Sequence, residues 1–260
     1  MGKAWRLLGA LVMGGALALA GLGQPAGAAE VHVLAAGAVH TVVLKLVPDY
    51  TRETGTELKF TFGPVGNLVS KLQQGTPADL IIVTPAALKK LTEAGLVATE
   101  PQVNVGQVGV GVAVKAGAPL PDISSPEALR TALLAASGVY TADPKNASSA
   151  IYFAKVMADM GIAEQVQPKL HTYRDGADSM AGLVQGDAGG IGVTMISEIK
   201  PNPQVVVVGQ LPAPLALITV YAGGVTAHAA QPQAAAAFLR FLASPKAQEA
   251  FHAGGFDPVP

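Results

Sequence analysis

The chain has 260 residues, a formal net charge of −1 and no cysteine. Its length is enough for one large domain or two modest ones with a substantial core. The near-neutral charge provides no basic surface of the kind that binds nucleic acid or acidic membranes, so no nucleic-acid partner is predicted. Without cysteine, disulfides, thiolate nucleophiles and cysteine metal ligands are excluded.

The first 29 residues have the pattern of a secretory signal peptide. Lys3 and Arg6 provide a positively charged start, residues 7–22 are apolar, and Pro25-Ala26-Gly27-Ala28-Ala29 offers a small-residue cleavage site after position 28 or 29. Residues 1–29 are therefore predicted to direct export to a periplasm and to be removed. The alternative is an uncleaved membrane anchor. Cleavage would change the formal charge from −1 to about −3, because both leader cations leave with the peptide.

Strand patterns alternate with helix patterns along the rest of the chain. Apolar or β-branched runs predict strands at residues 31–35, 58–62, 80–83, 103–114, 139–142, 169–173, 189–193, 205–208 and 215–221. Helical spacing and stop signals predict helices that end near 52 and near 74, and helices at 85–94, 126–136, 148–160, 177–185, 231–242 and 245–253. No apolar run of about 18 residues follows the leader, so no stable membrane insertion is predicted. The alternation predicts an α/β architecture with parallel strands.

The segment from residue 60 to residue 84 predicts a strand, a tight turn, a helix and a buried strand. Gly63-Pro64-Val65-Gly66 cannot continue the first strand, and Asn67 is a favoured N-cap residue for the helix. Residues 80–83 are continuously apolar, which is typical of a parallel strand buried on both faces. Small residues between a strand and a helix N-terminus form an anion site. We therefore expect the ligand at this turn.

The chain resembles the periplasmic molybdate-binding protein family over nearly all of its mature length. The motifs that carry this resemblance are specific only together: Val33-Leu34-Ala35-Ala36, Thr54-Gly55, Gln74-Gly75-Thr76-Pro77-Ala78-Asp79, Ala94-Gly95-Leu96-Val97, Gln185-Gly186-Asp187-Ala188, Phe238-Leu239-Arg240-Phe241-Leu242 and Ser244-Pro245. The resemblance implies a two-lobed type II periplasmic binding protein fold. In that fold each lobe is a mainly parallel sheet flanked by helices, and the ligand cleft lies between the lobes.

The resemblance also implies two crossovers between the lobes, which we expect near residues 109–112 and 221–224. The first lobe is then expected to comprise residues 30–110 together with 223–260, and the second lobe residues 111–222.

Several positions depart from the oxyanion contacts that the resemblance implies. The family's first contacting serine falls on Ala38, its serine-rich turn falls on residues 63–66, and a tyrosine of the second lobe is replaced by Thr194. In return, Ser148 and Ser149 add hydroxyls where the family has a proline-containing turn. Molybdate is a small dianion held by neutral donors, and a buried site that has lost donors binds such an ion poorly. The chain is therefore not expected to bind molybdate, although helix N-termini still favour an anion.

The same family includes aconitate isomerase, an exported enzyme that resembles molybdate-binding proteins and interconverts cis- and trans-aconitate. That likeness implies an allylic 1,3-proton shift. Such a reaction needs a base that titrates near neutral pH, and donors for the charge that develops on a carboxylate.

His40 is the candidate for that base. It follows the first strand in the opening turn of the next helix, and the resemblance places it on the cleft side, where the family usually has a small hydroxyl residue. Histidine is the one side chain whose unperturbed pKa lies near neutral pH. The alternatives are a hydrogen-bond donor to the ligand or an exposed surface residue. The remaining histidines fall at weaker positions: His32, His171, His228 and His252.

Arg174 precedes a helix whose start faces the cleft in this family, so we expect it to grip a substrate carboxylate with two parallel hydrogen bonds. An exposed loop cation is the equally open alternative. Ser148 and Ser149 are predicted helix caps that could also hold a carboxylate. The other residues predicted to line the ligand site are Gly37, Ala38, Gly63, Val65, Gly66, Asn67, Thr84 and Thr194.

Two functions follow from these residues. The first is a periplasmic isomerase of an unsaturated polycarboxylate, with His40 as acid and base and with Arg174 and Ser149 as carboxylate anchors. The second is a receptor that delivers an oxyanion or organic anion to a membrane importer, and only this reading needs a permease partner. The missing serines and the histidine favour the enzyme, whereas most members of the fold bind and release. No metal spacing is recognisable, so neither a metal nor a cofactor is predicted.

Overall fold

The computed structural model describes residues 29–259, and the predicted signal peptide lies outside these residues apart from Ala29. The strands are β1 (Glu30–Ala36), β2 (Glu57–Gly63), β3 (Leu80–Val83), β4 (Val97–Lys115), β5 (Val139–Ala142), β6 (Leu170–Tyr173), β7 (Ile191–Met195), β8 (Val205–Gln210) and β9 (Ile218–Thr226). The helices are α1 (His40–Thr54), α2 (Val65–Gln73), α3 (Pro85–Glu93), α4 (Pro126–Ala135), α5 (Ser148–Asp159), α6 (Ala163–Val166), α7 (Gly176–Gln185), α8 (Ile196–Ile199), α9 (Pro232–Leu242) and α10 (Pro245–Ala253). A short 3₁₀ helix, Gly37–Val39, joins β1 to α1.

The long strand β4 belongs to two sheets. Up to Gly109 it pairs with β9, in the strand order β2-β1-β3-β9-β4. From Val110 it pairs with β7 on one side and β8 on the other, and β5 and then β6 lie beyond β7. Each sheet contains a parallel group of three strands, β2-β1-β3 in one and β7-β5-β6 in the other. The predicted α/β architecture with two lobes is confirmed. The predicted lobe limits at 110/111 and 222/223 stay predictions.

Strand β3 and the second half of β1, in the first sheet, are buried on both faces, whereas the edge strand β2 is partly exposed. Val33 and Ala35 of β1 face a core shared with α1, α9 and α10, whereas Leu34 faces the opposite core with α2 and α3. A sheet covered on both faces leaves its strand ends as the place where a ligand can reach the protein.

Asp79 explains why one motif of the resemblance is structural. Its side chain is buried and accepts two hydrogen bonds of 2.8 Å, one from the backbone N–H of His32 and one from that of Gln231. It thus ties β1 to the residue that precedes α9, far apart in sequence.

Two predicted helix caps are wrong. Helix α2 begins at Val65 with Pro64 as its N-cap, so Asn67 already lies in the first turn and donates its N–H to the carbonyl of Pro64 at 3.0 Å. Helix α5 has Ala147 as its N-cap without a side-chain hydrogen bond, so Ser148 and Ser149 are its first two residues. In both cases the residue before the helix has an extended backbone, and the chain enters the helix there without a hydrogen bond from a capping side chain.

Strand β9 lies further along the chain than predicted. Leu215 is in a turn, in which its N–H donates to the carbonyl of Pro212, and the strand continues to Thr226. Because β3 and β4 both pair with this strand, their hydrogen bonds outweigh the low strand preference of Gly223 and Gly224. In residues 29–259, no helix combines the length and the apolar composition needed to cross a membrane.

Candidate functional site

Loops and helix starts from both lobes surround a small inner cavity of about 20 Å³, which has room for roughly one water molecule. The residues from the ends of β1 and β2 are Ala36, Gly37, Ala38, Gly63, Pro64 and Val65. Those from the second lobe and from β9 are Ala147, Ser148, Ser149, Asp175, Gly176, Met195, Glu198 and Tyr221.

A larger outer cavity of about 350 Å³ adjoins the inner one. Its lining comprises Gly37, His40, Phe62, Gly63, Arg174, Asp175, Ala177, Asp178 and Glu198. Four of these residues also line the inner cavity, so the two cavities share part of one wall. A cavity of this volume is within the range that small organic ligands occupy.

Three helices begin at the inner cavity. Val65, Ser148 and Gly176 are the first residues of α2, α5 and α7, and all three line it. Unpaired N–H groups and the positive end of the helix dipole make such starts favourable for an anion.

Glu198 is a partly buried carboxylate between the two cavities. The hydroxyl of Thr194 donates a hydrogen bond of 2.6 Å to its Oε2 atom. The pKa of Glu198 is raised to about 7. Burial is the main cause and the negative charge of Asp175 adds to it, whereas hydrogen bonds from Thr194 and from the backbone of Met195 and Gly176 oppose the shift. A carboxyl group with this pKa changes its protonation state near neutral pH, as a general acid or base must.

Two glycines make room for this carboxylate. A Cβ atom on Gly176 would overlap with Glu198 Oε2 and with Thr194 Oγ1, and one on Gly37 would lie 3.1 Å from Glu198 Oε1. Glu198 therefore approaches the backbone of both lobes, and a larger residue at position 176 would displace it.

Tyr221 of β9 is buried and lines the inner cavity. Burial raises the pKa of its phenol, the charge of Glu198 raises it further, and the hydroxyl of Ser148 opposes the shift. The phenol therefore keeps its proton at neutral pH and can donate a hydrogen bond.

Arg174 lies at the rim of the outer cavity with 74% of its side chain exposed. Its Nε atom is 3.0 Å from Asp175 Oδ2, and its guanidinium is 3.0 Å from Asp178 Oδ2. Asp175 also caps α7 by accepting the N–H of Asp178 at 2.9 Å. The two carboxylates raise the pKa of Arg174 and orient its guanidinium beside the cavity.

His40 is the first residue of α1 and lines the outer cavity. Its ring packs against Phe62, with 4.2 Å between the ring centroids. The structure therefore places His40 and Arg174, which come from different lobes, around the same space.

The other predicted site residues divide into two groups. Those at the inner cavity are Gly37, Ala38, Gly63, Val65, Ser148 and Ser149. Those outside both cavity linings are Gly66, Asn67, Thr84 and Thr194. Thr194 is connected to the cleft through Glu198, and Thr84 caps α3 by accepting the N–H of Ala87. Contact between any of these residues and a ligand stays a prediction.

Glu198, Asp175 and Tyr221 are cleft residues that the sequence reasoning missed. Glu198 follows three residues after the buried apolar strand β7, and Asp175 follows two residues after β6. Polar residues just beyond the carboxyl ends of parallel strands are the signal that could have indicated both. Within residues 29–259, no group of three or more His, Asp or Glu side chains is arranged to hold a metal ion.

A two-lobed α/β fold with helix starts converging on a cleft defines a class of protein that binds small solutes. The family of bacterial extracellular solute-binding proteins matches residues 31–257, and the chain belongs to that family.

Individual relatives divide between an enzyme and binding proteins. The chain is 30% identical over 259 residues to an aconitate isomerase from a Pseudomonas species, which covers 97% of this chain and 95% of that protein. It is 27% identical over 249 residues to the molybdate-binding protein ModA of Rhodobacter capsulatus, covering 93% of this chain and 95% of that protein. The predicted resemblance is thus confirmed.

A solved structure with the same fold is the periplasmic molybdate-binding protein of Azotobacter vinelandii. Its TM-score is 0.75 at 16% identity, with 88% of this chain and 99% of that chain covered. At this identity the likeness concerns the fold alone.

Proposed function

We propose that this protein is a periplasmic isomerase of an unsaturated polycarboxylate that interconverts cis- and trans-aconitate. The observation that carries the proposal is an acid-base group and a cation, His40 and Arg174, around one ligand-sized cavity. They occur in a chain that is 30% identical to an aconitate isomerase over nearly the full length of both proteins. The periplasmic location rests on the predicted leader and on the extracellular family.

The reaction needs only a proton to move. A base removes a proton from the methylene carbon beside the double bond, the double bond shifts by one position, and a proton returns at the other end of the allylic system. The histidine side chain suits this task because its ordinary pKa lies near neutral pH. His40 is the proposed acid and base.

The substrate carboxylates need donors and positive charge. Arg174 is the proposed anchor for one carboxylate, at the rim of the outer cavity. Ser149 and the N–H groups that begin α5 and α7 are the proposed donors for another, where they would also stabilise charge that develops during proton transfer.

A second candidate is a receptor that binds an organic anion or oxyanion and delivers it to a membrane importer. The likeness to ModA favours this function, and so do the three helix starts at the inner cavity. In this case a permease would be the partner, and the cleft would bind and release without chemistry.

One assay separates the two candidates. The purified protein without its predicted leader is incubated with trans-aconitate, and cis-aconitate is measured by liquid chromatography against a protein-free control. Thermal melting with the same compound measures binding. Turnover supports the isomerase; a raised melting temperature without turnover supports the receptor and contradicts the isomerase. If the protein shows neither turnover nor a raised melting temperature, the result contradicts aconitate as the ligand.

A further inference from the structure

We infer that Glu198 is a second proton-transfer group in the cleft, acting with His40 on the two ends of the allylic system. The inference rests on the proposed isomerase function and deepens it, since it gives the second lobe a catalytic residue.

Position is the first argument. His40 and Glu198 together line two cavities, the outer one of about 350 Å³ and a neighbouring one of about 330 Å³. His40 begins α1 of the first lobe, whereas Glu198 belongs to α8 of the second. A ligand held between the lobes therefore meets titratable side chains from both of them, His40 from the first and Glu198 among those of the second.

The orientation of the carboxyl group is the second argument. Thr194 donates to Oε2, and Oε1 is the oxygen that we assign to proton exchange with a ligand. Oε1 lies over Gly37, in the 3₁₀ turn that leads into His40. Gly37 has no side chain that could separate this oxygen from a ligand in the cavity.

A purely structural role does not explain why residue 198 is a glutamate. Its side chain accepts a hydrogen bond from the backbone N–H of Met195, the N-cap residue of the short helix α8. This hydrogen bond caps the helix. A glutamine would make the same cap without the cost of burying a charge. The glutamate brings an exchangeable proton to the cavity wall, which the cap does not need.

The charged surroundings keep this proton exchangeable. Asp175 and Asp178 at the start of α7, with Arg174 before them, line the outer cavity together with Glu198. His40 of α1 lines the neighbouring cavity together with Glu198, and Tyr221 of β9 is close enough for the charge of Glu198 to act on its phenol. Burial and Asp175 favour the protonated form, whereas the hydrogen bonds from Thr194 and the backbone favour the ionised form.

The step balances with these two groups alone. One group, in its basic form, takes a proton from the methylene carbon, and the electron pair of the broken C–H bond forms the new C=C bond to the central carbon. The electron pair of the old C=C bond forms a C–H bond to the proton that the other group delivers at the former alkene carbon. The base ends protonated and the acid deprotonated, and exchange with water resets both.

The test compares Glu198→Gln with the unmutated protein lacking its leader. Because glutamine keeps the size and the cap, we expect the variant to fold with an unchanged or higher melting temperature. Turnover of trans-aconitate should fall by roughly 100-fold or more, with KM within about threefold, which is the scale of losing an acid-base group. The control is Glu127→Gln, an exposed glutamate in the first turn of α4, which should leave turnover unchanged.

A second measurement follows the proton itself. In D₂O, two separate groups place solvent deuterium on the new methylene carbon, whereas a single group can return the substrate's own proton. Retention of that proton, or Glu198→Gln turnover within threefold of the unmutated protein, would overturn the inference while leaving the isomerase intact. An unmutated protein that never converts aconitate would overturn both.

Discussion

The hydroxyl of Thr194 and the carboxylate of Glu198 form a hydrogen bond of 2.6 Å at the carboxyl end of β7. Thr194 is fully buried, so this donor has no water to compete with it. The bond favours the ionised form of Glu198 and opposes the effect of burial on its pKa.

Removing this donor should raise the pKa of Glu198 above about 7. In Thr194→Val the carboxylate loses the hydrogen bond, so its charged form becomes less stable. Carbon NMR of labelled glutamate side chains would follow the titration directly. Thr141→Val is the matched control, because Thr141 is also buried but donates to the carbonyl of Val193. An unchanged titration in Thr194→Val would show that the hydroxyl does not tune this carboxyl group.

The stability of the protein should depend on pH through Glu198. Its pKa is about 7 in the folded protein and 4.5 as an ordinary value, so the folded state binds more protons between these pH values. Its contribution is fully present below about pH 4.5 and is lost as the pH rises through about 7, by up to about 3 kcal/mol. Urea unfolding of Glu198→Gln should show a smaller loss of stability between pH 5 and pH 8 than the unmutated protein. An equal loss of stability between pH 5 and pH 8 in the two proteins would contradict the raised pKa of Glu198.

Arg174→Ala should weaken polycarboxylate binding about tenfold, which corresponds to about 1.4 kcal/mol. The variant loses a cation at the cavity rim and leaves Asp175 and Asp178 to repel an anion. Its stability should change by less than about 1 kcal/mol, because the side chain is exposed. Calorimetry with tricarballylate, a saturated tricarboxylate, measures affinity, with Arg130→Ala as the control. If the affinity of Arg174→Ala stays within a factor of two of that of the unmutated protein, Arg174 does not bind the ligand.

His40→Asn should keep aconitate binding and lose roughly 100-fold or more in turnover, the usual effect of removing a general base. Asparagine is polar and of similar size, but it cannot accept and return a proton. Steady-state kinetics and melting with aconitate separate the two effects. The matched control is His171→Asn, on β6 outside both cavity linings. A variant as fast as the unmutated protein would contradict the role of His40.

Molybdate and tungstate should not stabilise the protein. Ala38, Gly63 and Val65 line the inner cavity without a hydroxyl, and Glu198 adds a negative charge there once it ionises. A ligand at about 100 times its dissociation constant adds about 2.7 kcal/mol of stability, which a melting curve detects easily. Aconitate is the positive control. A clear shift with submicromolar molybdate would contradict this prediction.

Much of the fold could be predicted because its signals are local. Strands β3 and β5 have the predicted limits, since each is a short run of apolar, aromatic or β-branched residues next to an aspartate. The start of α2 could not be predicted in the same way. Its cap depends on the extended backbone of Pro64, whereas the sequence offered Asn67 as a better capping side chain.

The site was harder to predict than the fold because its main carboxylate becomes special only through distant residues. In the sequence, Glu198 is an isolated glutamate between Ser197 and Ile199, a pattern typical of an exposed helix face. Its environment depends on Gly37 and Gly176, which approach it only after both lobes have formed. His40 and Arg174 can be recognised as candidates in the sequence, because their residue types alone indicate acid-base chemistry and carboxylate binding.

The position of β9 has a consequence for the order in which the chain can fold. In the first sheet β9 lies between β3 and β4, although it begins only at Ile218, long after both. During synthesis the sheet of the first lobe therefore lacks this strand, between β3 and β4, until the residues of the second lobe have been made. A fragment that stops before residue 218 would lack that central strand, and we expect it to expose the edges of β3 and β4 and to aggregate rather than form a separate lobe.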